Sequence, residues 1–293
     1  MPLVDRYLSA LNSLLLAFIL STCASVPPSE ADTRFEKERT MANPIAPRHS
    51  YWLEELTWLE VRDAISGGTA NVIVPTGGIE QNGPYLATGK HNVILEATCP
   101  EIARQLGSTL CAPIVPFVPQ GDINPPTGLM RFPGTISLTQ DTFELLLADI
   151  GRSLKQAGFA NIIFIGDSGG NQAGMARTAE ALNREWAASP ARAHYVQAFY
   201  EPGWVATERY TKAELGVSQT QNDGYHDDIW VTAMMMVIDP DAVRLEERRA
   251  AGLASINGVS LVPVEQLQEL GRKMIGFRAG LTVDAIRKAL NSN

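Results

Sequence analysis

The strongest constraint on this chain is a repeated alternation. Short apolar runs end in glycine, proline or polar residues, and segments of helical spacing separate them. Asn71-Val72-Ile73-Val74-Pro75 is a β-branched run followed by a Gly-rich turn. Residues 92–106 read as a helix, with Pro100 inside the pattern as an expected break. Residues 109–116 look like a second strand, and residues 117–135 form a Pro/Gly-rich loop too long to be a mere connector. Phe143, Leu146, Leu147, Ile150 and Leu154 mark a helix over 139–157, with Gly158 placed as its stop. A third buried strand runs from Asn161 to Ile165, a helix over 171–187 follows, and 193–200 reads as a fourth strand. Such alternation predicts an α/β domain, three layers α/β/α around a mostly parallel sheet. No internal repeat and no second domain is visible. Ligands in such folds bind beyond the carboxyl ends of the strands, which here are residues 76–91, 117–135 and 166–171.

The composition bounds the partners. Lys and Arg number 24 against 32 Asp and Glu, a net charge of −8. That surface repels phosphate backbones and argues against nucleic acid. The 45% hydrophobic content excludes a disordered or fibrous chain. Three cysteines, Cys23, Cys99 and Cys111, allow at most one internal disulfide and match no zinc or redox spacing. Cys99 and Cys111 flank buried-looking segments and read as packing residues. Residues 14–20 are apolar but too few to cross a bilayer, and with Arg6 they fit a secretory signal. The expected organisation is a signal peptide over 1–23, a Pro-, Ser- and charge-rich linker over 24–48, and a hydrolase domain over 49–293. Leu20-Ser21-Thr22-Cys23 is similar to a lipoprotein box. Contact with a membrane is expected only through a lipid on Cys23, with the protein periplasmic or anchored to a membrane.

Four segments carry a family likeness: Pro75 to Leu86 with His91, Phe132 to Ser137, Gly166-Asp167-Ser168-Gly169-Gly170-Asn171, and His226 to Ala233. In this order they resemble the creatininase (creatinine amidohydrolase) family of metal-dependent amide hydrolases, over roughly residues 51–245. The resemblance implies a creatininase-like fold, a small-molecule amide substrate, a pair of divalent ions and a homo-oligomer, often hexameric. The substitutions fall on the implied ligand positions. Glu80 matches, whereas Asn82, His91, Ser168 and Val231 stand where the family has His, Asp, His and Glu.

The residues themselves suggest a rebuilt site. Glu80, His91 and Asp167 together supply one nitrogen and two carboxylate ligands, a set suited to one Zn, Mn or Fe ion per chain. His91 then needs a partner for its second ring nitrogen, for which Asp228 and Asn82 are candidates. His226 or Asp228 would move the proton while a metal-activated water attacks the carbonyl. Bland readings stand beside these: Asp227, Asp228 or Asp167 as helix caps, and His91 as a helix-start residue. His49 and His194 sit outside every motif. Gly166 to Gly170 is also a Gly-x-Ser-x-Gly string between strand and helix, which makes Ser168 a candidate nucleophile. The rival functions are therefore a metal-free binding protein on the same fold and a serine hydrolase. Arg131 is a candidate pocket residue; Trp204 and Trp230 could wall the pocket, but core packing is the commoner use of a lone Trp. Met234 to Met236 read as core.

Overall fold

The computed structural model describes residues 30–292, so the signal peptide and Cys23 lie outside the described residues. Two compact units divide at Ala46 and Pro47. In the first, the segment expected as a linker contains helix α1 (Glu30–Arg39). No helix among the described residues is long and apolar enough to cross a membrane.

The second unit is built on a four-stranded parallel sheet in the order β2-β1-β3-β4. The strands are β1 (Asn71–Thr76), β2 (Thr109–Cys111), β3 (Asn161–Gly166) and β4 (Arg192–Tyr195). All six residues of β1 are buried. Alternation along the strands divides the core into two layers. Val72, Val74, Ile162 and Phe164 face one side, against α4 (Gln140–Ala157) and α5 (Gln172–Glu185). Ile73, Ile163 and Ile165 face the other, against α3 (Lys90–Leu106) and the long C-terminal α9 (Val264–Leu290). Helix α2 (Trp58–Ser66) starts in a capping box, Thr57 bonding the Glu60 amide and the Glu60 carboxylate bonding back. A third apolar cluster joins α3 and α9 to α7 (Ile229–Ile238), in which Met234, Met235 and Met236 are all buried. Between α7 and α9 lie α8 (Leu245–Ala250) and a hairpin of β5 (Ser255–Ile256) and β6 (Val259–Ser260). Helix α6 (Gly203–Ala213) precedes α7.

Several boundaries differ from the sequence reading, each for a physical reason. The helix expected at 92 begins at Lys90 and runs through Pro100. Burial of Leu95, Cys99, Ile102 and Ala103 outweighs the hydrogen bond lost at the proline. The second strand stops at Cys111, because Pro113 and Pro116 leave only an isolated bridge at Val115. The fourth strand ends at Tyr195, where the chain enters the turn Gln197–Phe199. The reading of Cys99 and Cys111 as packing residues is also corrected. They form a disulfide from α3 to β2, with Cα atoms 6.3 Å apart.

Candidate functional site

A cavity of about 350 Å³ opens beyond the carboxyl ends of β1 and β3, lined among others by Glu80, Lys90, His91, Asp167, Ser168 and His226. Packing at the strand ends sets its floor. The Asn171 amide reaches the Thr76 and Gly77 carbonyls at 3.0 and 2.9 Å, and the Asp167 amide bonds Thr76 O at 3.0 Å. Gly77 and Gly170 are needed for space: a Cβ would lie 1.9 Å from Asn92 Oδ1 at the first and 2.0 Å from Pro119 O at the second. The loop expected to border the pocket does so through Gln120 and Leu129. Arg131 stays exposed and does not line the cavity. Trp204 does line it.

The structure brings Glu80, His91 and Asp167 together, all buried. His91 sits between the two carboxylates, Nδ1 at 2.7 Å from Asp167 Oδ2 and Nε2 at 2.8 Å from Glu80 Oε1. Burial opposes charge on this imidazole, but the bonds to Asp167 and Glu80 outweigh it and raise the His91 pKa. Burial would raise Glu80, yet the His91 bond and the charges of His91 and Lys90 leave it lowered. The partners of His91 are thus Glu80 and Asp167, not Asp228 or Asn82. The Asn82 amide instead donates to the Glu80 and Ala87 carbonyls at 3.0 Å each. Asp167 caps no helix; its second oxygen accepts from Arg278 Nη2 at 2.6 Å.

Two cations at this floor went unread in the sequence. Lys90, pushed down in pKa by burial, holds Nζ 3.6 Å from Glu80 Oε1 and donates to His226 O at 3.4 Å. Arg278 is completely buried, bonds the Phe199 carbonyl through Nε and Nη2, and stacks on Phe199 and Trp204. Both left a signal. Lys90 adjoins His91 at a helix start, and Arg278 lies four residues from both Met274 and Thr282 on the buried stripe of α9. A charge in that phase has to find a partner inside.

The rim is looser. His226 is half exposed, with Nδ1 3.2 Å from Gln81 O and 3.5 Å from Glu80 Oε1. Burial and the Lys90 charge lower its pKa. Asp228 stands at the N-cap position of α7 without capping it; Gln219 does so, its Oε1 accepting from Ile229 N while its Nε2 donates to Asp228. Asp227 does not cap either but is paired with the buried Arg248 of α8. Ser168 donates to Gln120 Oε1 at 3.4 Å, and no imidazole is its hydrogen-bond partner among the described residues. His194 is a buried structural residue 3.1 Å from Asn161 Oδ1, and His49 is exposed.

The three candidate ligands do not converge on a common point. Both ring nitrogens of His91 face carboxylates, and among the described residues no three His, Cys, Asp or Glu side chains are arranged to hold an ion. The expected Glu80–His91–Asp167 ion site therefore does not fit this arrangement, since a ligand must turn a lone pair toward the metal.

The family model for creatininase, creatinine amidohydrolase, matches residues 54–272. The chain belongs to the creatininase family. Over 119 residues it is 33% identical to a mycofactocin precursor peptide peptidase of Mycolicibacterium smegmatis, covering 39% of this chain and 45% of that protein, less than half its length. It is 24% identical to a creatinine amidohydrolase of Pseudomonas putida, over 67% of this chain and 75% of the relative. Among solved structures, a mutant creatininase of Zn–Zn type aligns with TM-score 0.62 and 20% identity, covering 83% of this chain and 99% of the other. A manganese creatininase aligns with TM-score 0.58 and 19% identity, covering 83% and 98%. These likenesses establish the creatininase fold, with its mostly parallel sheet between helices.

Proposed function

We propose that this creatininase-family chain is a hydrolase of a C–N bond in a small linear or cyclic amide, with the chemistry in the cavity beyond β1 and β3. The observation that carries the reading is His226. Its Nδ1 faces the Gln81 carbonyl, which can only accept, so the proton sits on Nδ1, and Nε2 turns its lone pair to the cavity rim, 3.5 Å from the Lys90 Nζ that donates toward it. A half-exposed imidazole in this tautomer suits the transfer of a proton from water and on to the leaving amine. The Lys90 ammonium lines the same cavity and supplies donors for a carbonyl oxygen. The names of the relatives, an amidohydrolase and a peptidase, support the reaction class. Ser168 as nucleophile is disfavoured, because its hydroxyl is engaged by Gln120 rather than by a base.

The test is release of amine from a panel of cyclic ureides, N-acyl amides and dipeptides. His226→Ala should lower kcat by about 10²–10⁴-fold with unchanged Tm, whereas Ser168→Ala should cost far less. Binding without turnover across the panel would favour the binding-protein alternative, and labelling by a fluorophosphonate would favour the serine hydrolase. Export belongs to the same proposal. The Cys99–Cys111 disulfide supports it, because such bonds persist in oxidising compartments. Mass spectrometry of native material should find a chain beginning at or after Cys23, with a lipid mass there in the anchored form. Light scattering tests the homo-oligomer, a hexamer by resemblance.

A further inference from the structure

The cavity floor is an unbroken chain of opposite charges. Arg278 meets Asp167 at 2.6 Å, Asp167 meets His91 at 2.7 Å, His91 meets Glu80 at 2.8 Å, and Lys90 stands 3.6 Å from Glu80. Two buried carboxylates this close to one histidine cannot both stay ionised without compensating positive charge, from a metal, a proton or a side chain. We infer that this chain has exchanged bound divalent cations for its own, Arg278 on Asp167 and Lys90 on Glu80, and that the site works without a transition metal.

Geometry makes the exchange a fixed one. Arg278 cannot swing aside to admit an ion. Its Nε and Nη2 both donate to the Phe199 carbonyl, at 3.1 and 2.8 Å, and its guanidinium lies 4.0 and 4.2 Å from the Phe199 and Trp204 ring centroids. A guanidinium also keeps its proton in proteins, so this positive charge is permanent. Lys90 is 3% exposed on the first turn of α3, and its Nζ is drawn toward Glu80 and toward both the carbonyl and the ring of His226. An ion approaching Glu80 would meet an ammonium at the same oxygen. Nor do the neighbouring positions restore a ligand set. Asn82 ties its nitrogen to two backbone carbonyls and leaves only a neutral amide Oδ1, a poor ligand for a transition metal, Ser168 is turned to Gln120, and Val231 has no donor atom. The inference concerns the charge balance of the site and stands whatever bond the cavity acts on.

The experiment uses the whole chain, expressed and purified without chelator. Elemental analysis should find well under one Zn, Mn or Fe per chain, and Tm should not move with EDTA, ZnCl2 or MnCl2. A native-state ligand at about 100 times its Kd would raise Tm by several degrees, so a real site would be seen. Near one ion per chain in the wild type, or a Tm that climbs with either salt, overturns the inference. In Lys90→Met/Arg278→Met the freed carboxylates and His91 should acquire a Tm increase with ZnCl2 or MnCl2. A folded double variant indifferent to both salts would overturn the part assigned to these two cations. If that variant does not fold, the wild-type measurements decide alone.

Discussion

The two sides of the cavity are each secured by a completely buried Arg–Asp pair, but the pairs do different things. On the floor, Arg278 holds Asp167 of the β3 end, and Asp167 passes the contact on to His91 and Glu80. Behind the rim, Arg248 holds Asp227, stacks on Tyr85 and reaches the Ser255 carbonyl, while Asp227 Oδ1 has no partner. The first pair is part of the cavity's own charge balance. The second is a strut that fixes the segment preceding α7 and so places His226. The difference teaches that rigidity and reactivity are separated here: the charged groups of the floor are buried and paired with one another, and the half-exposed imidazole sits on the braced loop above them.

Breaking the floor should have the largest effect. Arg278→Ala leaves Asp167 buried beside a cavity, and we expect a loss of about 5 kcal/mol, the upper range for a severed buried pair, read as a large fall in urea midpoint. Arg278→Met/Asp167→Leu should recover part of that loss, since no charge is stranded; failure to recover any would mean that the packing of the guanidinium on Phe199 and Trp204, not the pair, holds the floor.

Breaking the strut comes next. Arg248→Ala should cost about 3 kcal/mol, because Arg248 makes fewer hydrogen bonds than Arg278. It should also lower turnover by displacing His226. An unchanged kcat in a destabilised Arg248→Ala protein would show that the loop keeps its shape without the strut.

The disulfide ties the helix under the floor to the sheet. Cys99→Ser/Cys111→Ser should cost about 3 kcal/mol, the value expected for a loop of this length. It should leave the substrate specificity of the folded protein unaltered. Two glycines of the strand-end loops, Gly170 and Gly134, should resist substitution by different mechanisms. Gly170→Ala forces a Cβ to within 2.0 Å of Pro119 O and should disturb the cavity wall. Gly134→Ala meets only Thr88 Cγ2 at 3.4 Å but has φ +91, so its cost is backbone strain of about 1 kcal/mol.

The smallest effect on stability belongs to the rim. His226→Ala should change the urea midpoint by less than about 0.5 kcal/mol equivalent, while removing most activity. A rim substitution that unfolded the protein, or a floor substitution that did not, would end the distinction between the two sides.

What could be read from the residues depended on whether the signal was local. The β-branched runs, the Gly158 stop and the helical spacing of Phe143, Leu147 and Leu154 follow from backbone preferences and period, which neighbours in sequence express. The three strand-end loops and their closeness follow from parallel β–α topology, which brings Glu80, His91 and Asp167 together. What those groups do there was decided by partners far away in the chain. Arg278 lies 111 residues from Asp167 and Lys90 lies 136 from His226, and the Cys99–Cys111 bond depends on α3 crossing over to β2. Three residues that make a plausible ligand set in one dimension become a closed ion-pair chain in three, because a buried carboxylate takes whichever cation the packing delivers first. The sequence alone determined the layers, the strand ends and the identity of the polar groups gathered there; only the tertiary structure determined which charges are already satisfied and which imidazole stays half exposed at the rim.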